Sequence, residues 1–401
     1  MNIGVVVDND LNDDKRVLRE IEILREDGYH IFVLCFGFDK KTYNSIAGIE
    51  ITRIPISRSL KNTLFFFLNF LPVYEWFWAL KIKHFIIKNN IGVIHSHDLY
   101  MSRCAYKGVK ESGKRVKMIL DLHENFPFAV TTYNWTKGFL RRLIARPGKW
   151  QKKEEEYLGY PDKIVVLSED FRDDLITRYP SLEKENFCAF PNVPDVTKMN
   201  SFAVKRDKIS FKKKFSLLFY FGVVAERRGI FDALSAFEMV IKEGYEFDFM
   251  IIGPVDKKDF QRFNKTISLE TLRDRIIYIP WIDLSELPSY LDLSDICIAP
   301  FIKNPQHESG VANKIYDYML GGKPLIVSDC GPQRKLIEKY NCGIVFHNKN
   351  ELFEAIIKLF ENSALSKIMG ENGYNAIIND HNMDLVKERL LSVYNHLFQK
   401  K

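Results

Sequence analysis

The stretch ESGVANKIYDYMLGG, residues 308 to 322, joins small residues to Asn313 and Lys314 at the mouth of a short helix. It then carries Asp317 inside an otherwise apolar run and stops on Gly321 and Gly322. The N-terminal turn of a helix offers unpaired N–H groups and a partial positive charge, which together favour an anion. Val311, Ala312 and Asn313 would supply those amides, and small residues such as Gly310 let a ligand approach the backbone closely. Asn313 and Asp317, four apart, share a helix face. A carboxylate there can accept from two adjacent hydroxyls, as on a ribose. The bland alternative is that Ser309 caps the helix and Asp317 is merely solvated. Its apolar neighbours leave little room for solvation.

A second candidate is FGVVAERRGIFDAL, residues 221 to 234. Gly222 ends an apolar run, Gly229 opens a helix, and Glu226, Arg227 and Arg228 lie between. Helix-entry amides and a guanidinium can hold a phosphate, although a solvated basic turn has the same composition. The GxxxxGK[ST] pattern is absent, so this is no P-loop. The first half of the chain gives Asp13, Asp14 and Arg16 at the entry of its first helix. His97 and Asp98, with His95 before them, and then His123 and Glu124, fall at the ends of two further apolar runs. His95 and His97, two apart on a strand, point to one side. No third ligand stands at motif spacing, so no metal is expected. Each group taken singly is more often structural than catalytic; several at strand ends facing one cleft favour a site.

The elements that must position them alternate. Strands are expected over 2–8, 29–36, 49–56, 91–98, 116–123 and 163–168, with helices between, the first over 13–28. A Pro-rich polar stretch over 191–214 then reads as a linker. The alternation restarts with strands over 216–222, 247–253, 276–280, 296–301, 324–329 and 342–346, and helices over 229–243, 256–272, 285–292 and 332–340. An amphipathic helix covers 383–399. The expectation is an α/β protein: one doubly wound domain over 1–190, a second over 215–380, and a closing segment over 381–401. Ligands in such sheets bind beyond the carboxyl ends of the strands.

Bulk properties narrow the class. A chain of 401 residues exceeds one ordinary core. Its six cysteines are scattered without a CxxC pair, which points to a reducing cytoplasm rather than disulfides or zinc. The N-terminus starts a strand at once, so no signal peptide is expected. From Arg58 to Lys153 there are 18 Lys and Arg against 5 Asp and Glu, around the aromatic run 63–87. Pro72, Glu75 and Asn69 make that run a poor membrane span. Two readings stand side by side: core-facing helices with solvated lysines, or a surface that meets anionic lipid. No nucleic-acid motif accompanies the basic stretch, so nucleic acid is not expected.

The block NKIYDYMLGGKP resembles the corresponding block of glycosyltransferase family 4, retaining enzymes of the GT-B fold. DDKRVLREIEILREDGYHIFVL, VIHSHD, LDLHENFP, DKIVVLSED, FPNVPD and FGVVAERRGI match that family's other blocks in order, so the resemblance spans nearly the whole chain. It implies two Rossmann-like domains facing a cleft, with the C-terminal helix crossing back. It implies no cofactor; the substrate is a nucleotide-diphosphate-sugar, a UDP- or GDP-sugar. Asp317 falls on the acid that holds the ribose. Ser309 falls where the family has a second acid on the sugar, with Glu308 one residue away. Arg228 matches the lysine that binds the diphosphate. Val223 stands where arginine is common, and Asn313 and Lys314 would supply the missing charge and donors. Gly222, Glu226 and Arg227 belong to the same loop. His123 matches a histidine on the donor sugar, and Pro280 and Trp281 lie in the segment that reads the base.

The implied reaction is sugar transfer to an acceptor hydroxyl with retention. His123, Arg228 and Lys314 carry the catalysis. Asp13, Asp14, Arg16, His97, Asp98 and Glu124 lie on the acceptor side. The acceptor is a lipid-linked or growing glycan, in bacterial capsule, lipopolysaccharide or exopolysaccharide assembly. The setting is cytoplasmic; contact with anionic membrane through the basic aromatic region 58–153 is one of the two readings of that region. Two alternatives share the architecture: a nucleotide-sugar epimerase, and a non-catalytic binding subunit, which the loss of the acid at Ser309 keeps open. A nicotinamide oxidoreductase lacks its G-x-G-x-x-G after the first strand.

Overall fold

A computed structural model of the chain describes residues 1–12, 14–38, 46–132, 136, 138–205, 209, 211 and 213–399. The chain divides into two compact units, Met1–Pro191 with Lys387–Lys401, and Asn192–Val386.

The first unit is built on a seven-stranded sheet of β1 (Asn2–Val6), β2 (His30–Phe38), β3 (Ile49–Ile56), β4 (Val93–His97), β5 (Lys117–Asp121), β6 (Lys163–Val166) and β7 (Phe187–Ala189). The order is β3-β2-β1-β4-β5-β6-β7 and every pairing is parallel. All five residues of β4 are buried, as a strand covered on both faces requires. Helix Val73–Asn89 packs against β1 so closely that a Cβ on Gly4 would meet Phe85 at 2.7 Å. Helix Lys15–Glu26 is capped by Asp14, whose carboxylate accepts from the Val17 amide at 3.2 Å. It buries Val17, Ile21 and Leu24, the face its periodicity predicts. Asp13 lies outside the described residues.

The second unit repeats the plan with six strands: β8 (Ser216–Phe221), β9 (Phe247–Ile252), β10 (Ile276–Ile279), β11 (Ile296–Ala299), β12 (Leu325–Ser328) and β13 (Gly343–Phe346). The order β10-β9-β8-β11-β12-β13 is again all parallel. Both sheets reverse their winding beside the first strand of the unit, which puts a crevice at the carboxyl ends there.

Observed elements are shorter than their hydrophobic runs where a glycine or a polar residue turns the chain. β8 and β9 stop before Gly222 (φ 125°) and Gly253 (φ 141°), a close crossing where a Cβ on Gly253 would meet the Gly222 carbonyl oxygen at 2.1 Å. The helix expected over 256–272 narrows to Phe260–Ile267, with turns after it. The stretch expected as linker holds a helix, Val196–Asn200, because Asp195 accepts from the Lys198 amide at 2.8 Å. The C-terminal helix runs over Met383–Gln399, the span its pattern predicts. Its Tyr394 is buried in the first unit, 2.7 Å from Nδ1 of His95.

Candidate functional sites in the two units

In the first unit the polar residues gather where β1, β4 and β5 end. β5 delivers Asp121, fully buried, and helix Lys15–Glu26 delivers Arg16 onto it. The guanidinium donates through Nε at 2.7 Å and Nη2 at 2.8 Å to the two carboxylate oxygens, and through Nη1 to the Phe190 carbonyl at 2.8 Å. Burial would hold the Asp121 carboxyl up, but Arg16 and then His123 outweigh it and leave it well below the usual range. Burial likewise works against a charged His123, yet Asp121 at 2.9 Å pushes that ring up to about 9. His97 Nδ1 lies 3.1 Å from His123 Nε2, and the His95 and His97 rings stack at 4.5 Å, on one side of the strand as their spacing requires. Arg16 and His97 are thus buried beneath the strand ends, whereas His123, Asp98 and Glu124 remain partly open. A third ligand for the His-x-His pair, missing at motif spacing, arrives through the fold: Glu20 and Asp121 approach both histidines, with one ligand atom of each within 4.8 Å of the rest.

Asp98 breaks from β4 with φ 72° and ψ 141°, a backbone region that non-glycine residues rarely occupy. Burial pushes its carboxyl up to about 7. The Tyr100 hydroxyl donates to Asp8 at 2.8 Å and lies 3.0 Å from Asp98, and Tyr74 donates to Asp8 at 2.6 Å. Lys61 pairs with Asp8 at 3.1 Å. Sequence reading missed Asp8, Glu20, Asp121 and the three tyrosines. Asp8, Asp121 and Tyr100 carried a positional signal, at or one helix turn beyond a strand end, whereas Glu20, Tyr74 and Tyr394 lie inside helices and are brought in only by the fold.

In the second unit the cations gather around β8. Gly229 (φ 73°) ends a 3₁₀ turn over Glu226–Arg228, and a Cβ there would lie 1.6 Å from the Pro300 carbonyl oxygen, so only glycine fits. The turn aims its residues apart. Glu226 points outward to Arg262 at 2.9 Å, and Arg227 is exposed. Arg228 turns inward over the Phe301 ring at 5.0 Å. Lys314 lies beside it: Nζ sits 3.6 Å from the Tyr220 ring centroid and is buried without a hydrogen-bond partner. Burial, then the Arg228 charge, hold its amine well below the ordinary value. Gly222 leaves room for this ammonium, since a Cβ there would come within 3.0 Å of it. His307 completes the group; burial brings its ring down to about 4, so it is neutral.

Helix Asn313–Leu320 starts at this cluster with Ala312 as N-cap and no side chain capping it. Asn313 is exposed, and Gly310, Val311, Ala312 and Asp317 are half-buried. Ser309 does not cap this helix. It is buried and donates to the Gln306 carbonyl at 2.7 Å. Glu308 does not stand in for an acid at 309 either: its carboxylate accepts from the Gly331 amide at 3.1 and 3.2 Å, capping helix Gly331–Tyr340. Pro280 and Trp281 follow β10, with Trp281 71% exposed. The arrangement is an uncapped helix N-terminus with two inward cations, Arg228 and Lys314, for which no acidic ion-pair partner occurs among the described residues. It can take a polyanion and neutralise charge developing on it.

Two Rossmann-like parallel-sheet domains, each with polar groups at the switch point, define the GT-B class of α/β proteins. Residues 15–198 match the family described as Glycosyltransferase Family 4, and residues 201–376 match Glycosyl transferases group 1. The chain belongs to the family 4 type of GT-B glycosyltransferases. It is 24% identical over 247 residues to spore coat protein SA of Bacillus subtilis, covering 58% of this chain and 64% of that protein. It is 20% identical to the capsular polysaccharide biosynthesis glycosyltransferase CapM of Staphylococcus aureus, covering 58% and 61% of the two chains. The fold is shared with sucrose-phosphate synthase of Thermosynechococcus elongatus (TM-score 0.77, 16% identity, 100% of both chains). It is shared too with Anabaena HepE in complex with UDP-glucose (TM-score 0.70, 12% identity, 99% and 100%).

Proposed function

We propose that this glycosyltransferase takes a UDP- or GDP-sugar and transfers the sugar to an acceptor hydroxyl with retention. The observation that carries the donor half is the Arg228–Lys314 pair at the uncapped start of helix Asn313–Leu320. In this reading the 312–314 amides and both cations hold the diphosphate, and Asp317 takes the ribose. Gly222, Gly310 and Val311 let the ligand approach, and Pro280 and Trp281 flank the base. The bond from C1 to the diphosphate breaks as the acceptor oxygen bonds C1 on the same face, and the acceptor proton passes to the leaving diphosphate. The protein then supplies leaving-group stabilisation more than a base. His123 orients the sugar. Asp14, Asp98 and Glu124 serve the acceptor, while Arg16 and His97 hold that floor in shape.

The acceptor in this proposal is a lipid-linked or growing glycan of bacterial surface polysaccharide, a setting consistent with the capsular and spore coat relatives. Peripheral membrane contact is supported by helix Phe139–Ala145, where Phe139 (84% exposed), Leu140 and Leu143 stand out beside Arg141 and Arg142. Phe70, also exposed, packs under Arg146 at 5.4 Å. Apolar side chains ringed by arginines suit an anionic lipid surface. The older alternative, core-facing helices, accounts for Tyr74, Trp78, Ile82 and Phe85 but not for this patch. No helix among the described residues is long and apolar enough to cross a membrane.

One observation favours a binding protein without catalysis: Ser309 carries no carboxylate and Glu308 is engaged elsewhere. A screen of UDP- and GDP-sugars by thermal shift, followed by product analysis, tests both readings. Donor-dependent stabilisation with transfer or donor hydrolysis supports the enzyme. Stabilisation without turnover supports the binder, a C4 or C2 epimer without acceptor supports an epimerase, and an inverted linkage refutes retention.

A further inference from the structure

Four polar atoms in the floor of the first unit are buried with no hydrogen-bond partner: both carboxylate oxygens of Glu20, Nε2 of His95 and Nε2 of His97. Buried polar groups are nearly always satisfied, so such a concentration calls for a cause. The four converge. Glu20 Oε2 lies 3.8 Å from His95 Nε2 and 4.0 Å from His97 Nε2. Both separations are too long for hydrogen bonds. They are near the distance between two ligands of one ion, about 3.4 Å around a tetrahedral centre with bonds of about 2.1 Å.

The surroundings fix which atoms are open. Glu20 Oε1 faces the Arg16 guanidinium at 3.3 Å, which leaves Oε2 toward the imidazoles. His95 Nδ1 is engaged by the Tyr394 hydroxyl at 2.7 Å. His97 Nδ1 faces Asp121 at 3.4 Å and His123 at 3.1 Å. Partners on the second ring nitrogen are what orient an imidazole toward a metal. Asp121 holds Arg16 and His123 and also lies in hydrogen-bond reach of Glu20, so it stands behind the three ligands and orients them.

We propose that Glu20 Oε2, His95 Nε2 and His97 Nε2 form a buried site for a divalent transition metal of the zinc or cobalt class. Two imidazoles and one carboxylate suit that class, whereas magnesium and calcium take oxygen sets. The ion ties helix Lys15–Glu26 to β4 and so fixes the floor under His123. The site stands apart from the donor reading, and its failure would leave that reading untouched.

Metal content decides it. The full chain, expressed with zinc in the medium, purified without a metal-affinity step and dialysed, is expected to carry about one zinc by mass spectrometry. Protein made with cobalt instead is expected to show visible bands of a nitrogen–oxygen site without the sulfur charge-transfer band. Glu20→Gln and His95→Ala should lose the metal, and the wild-type results stand if either variant fails to fold. Wild-type protein without metal above background would overturn the site and leave a buried water in its place. A sulfur charge-transfer band, or full metal content in both folded variants, would overturn it as well.

Discussion

The ammonium of Lys314 rests 3.6 Å from the centroid of the Tyr220 ring, buried and without a hydrogen-bond partner. A ring face offsets part of the desolvation of a cation, but it does not replace a counter-ion. The group is poised for an anion that arrives from outside.

Removing it should therefore separate stability from function. Lys314→Met keeps the packing on Tyr220 and drops the charge. Donor kcat/KM should fall by about 10²–10³-fold, the range for losing one charge-stabilising group. The melting temperature of the free protein should hold or rise, because a buried polar amine without a hydrogen-bond partner is gone. Scanning calorimetry beside donor kinetics checks both; equal loss of stability and activity would mean a structural lysine.

The same lysine sets a pH dependence. Its folded value is lowered, so between that value and the ordinary lysine value of about 10.4 the unfolded chain binds the extra proton, and stability of the free protein rises with pH. A bound diphosphate reverses the shift, so nucleotide binding in that window takes up a proton. Titration calorimetry in buffers of different ionisation enthalpy, from about pH 6 to 10, should find a net uptake that vanishes in Lys314→Met.

Arg16 and Asp121 hold the other floor. Arg16→Lys cannot reproduce the two-point contact at 2.7 and 2.8 Å. A lysine keeps the charge but loses part of the fork, at a cost of about 1.5–3 kcal/mol for each hydrogen bond to the carboxylate, so urea unfolding should show a clear loss of stability, a different result from a surface acceptor residue.

Glu308 should behave as a cap. Glu308→Ala removes the acceptor for the Gly331 amide and should cost about 0.5–2 kcal/mol, with donor kinetics within about twofold. A large fall in kcat at unchanged stability would instead put Glu308 on the sugar.

The exposed pair Phe139 and Leu140 should govern membrane contact. Replacing both with serine should weaken binding to vesicles rich in anionic lipid, and added salt should weaken the wild type. Wild-type protein that ignores such vesicles at low salt would end this part of the proposal.

The fold was legible because most of its strands are largely apolar: β9 is buried at all six positions, Asp248 included, and both halves alternate with helices of clear period. Arg228 and Lys314 were legible because they follow strand ends next to glycine or small residues. The floor of the first unit was not. Glu20 reads as an ordinary helix carboxylate, Asp121 as the last polar residue of a strand, and Tyr394 as part of a closing amphipathic helix. Only folding brings Glu20, Asp121 and Tyr394 to the His95–His97 pair. The bland alternative for Ser309, an N-cap, fails for a related reason: the helix starts later, at Asn313, and the hydroxyl turns back to Gln306.

Calorimetric binding of a nucleoside and of its diphosphate decides whether Arg228, Lys314 and the helix start hold a diphosphate. UDP or GDP should bind the wild type at least about 10²-fold tighter than uridine or guanosine, and the gap should collapse in the Arg228→Ala, Lys314→Met double variant. A gap that survives in the folded double variant would rule out Arg228 and Lys314 as the diphosphate's partners.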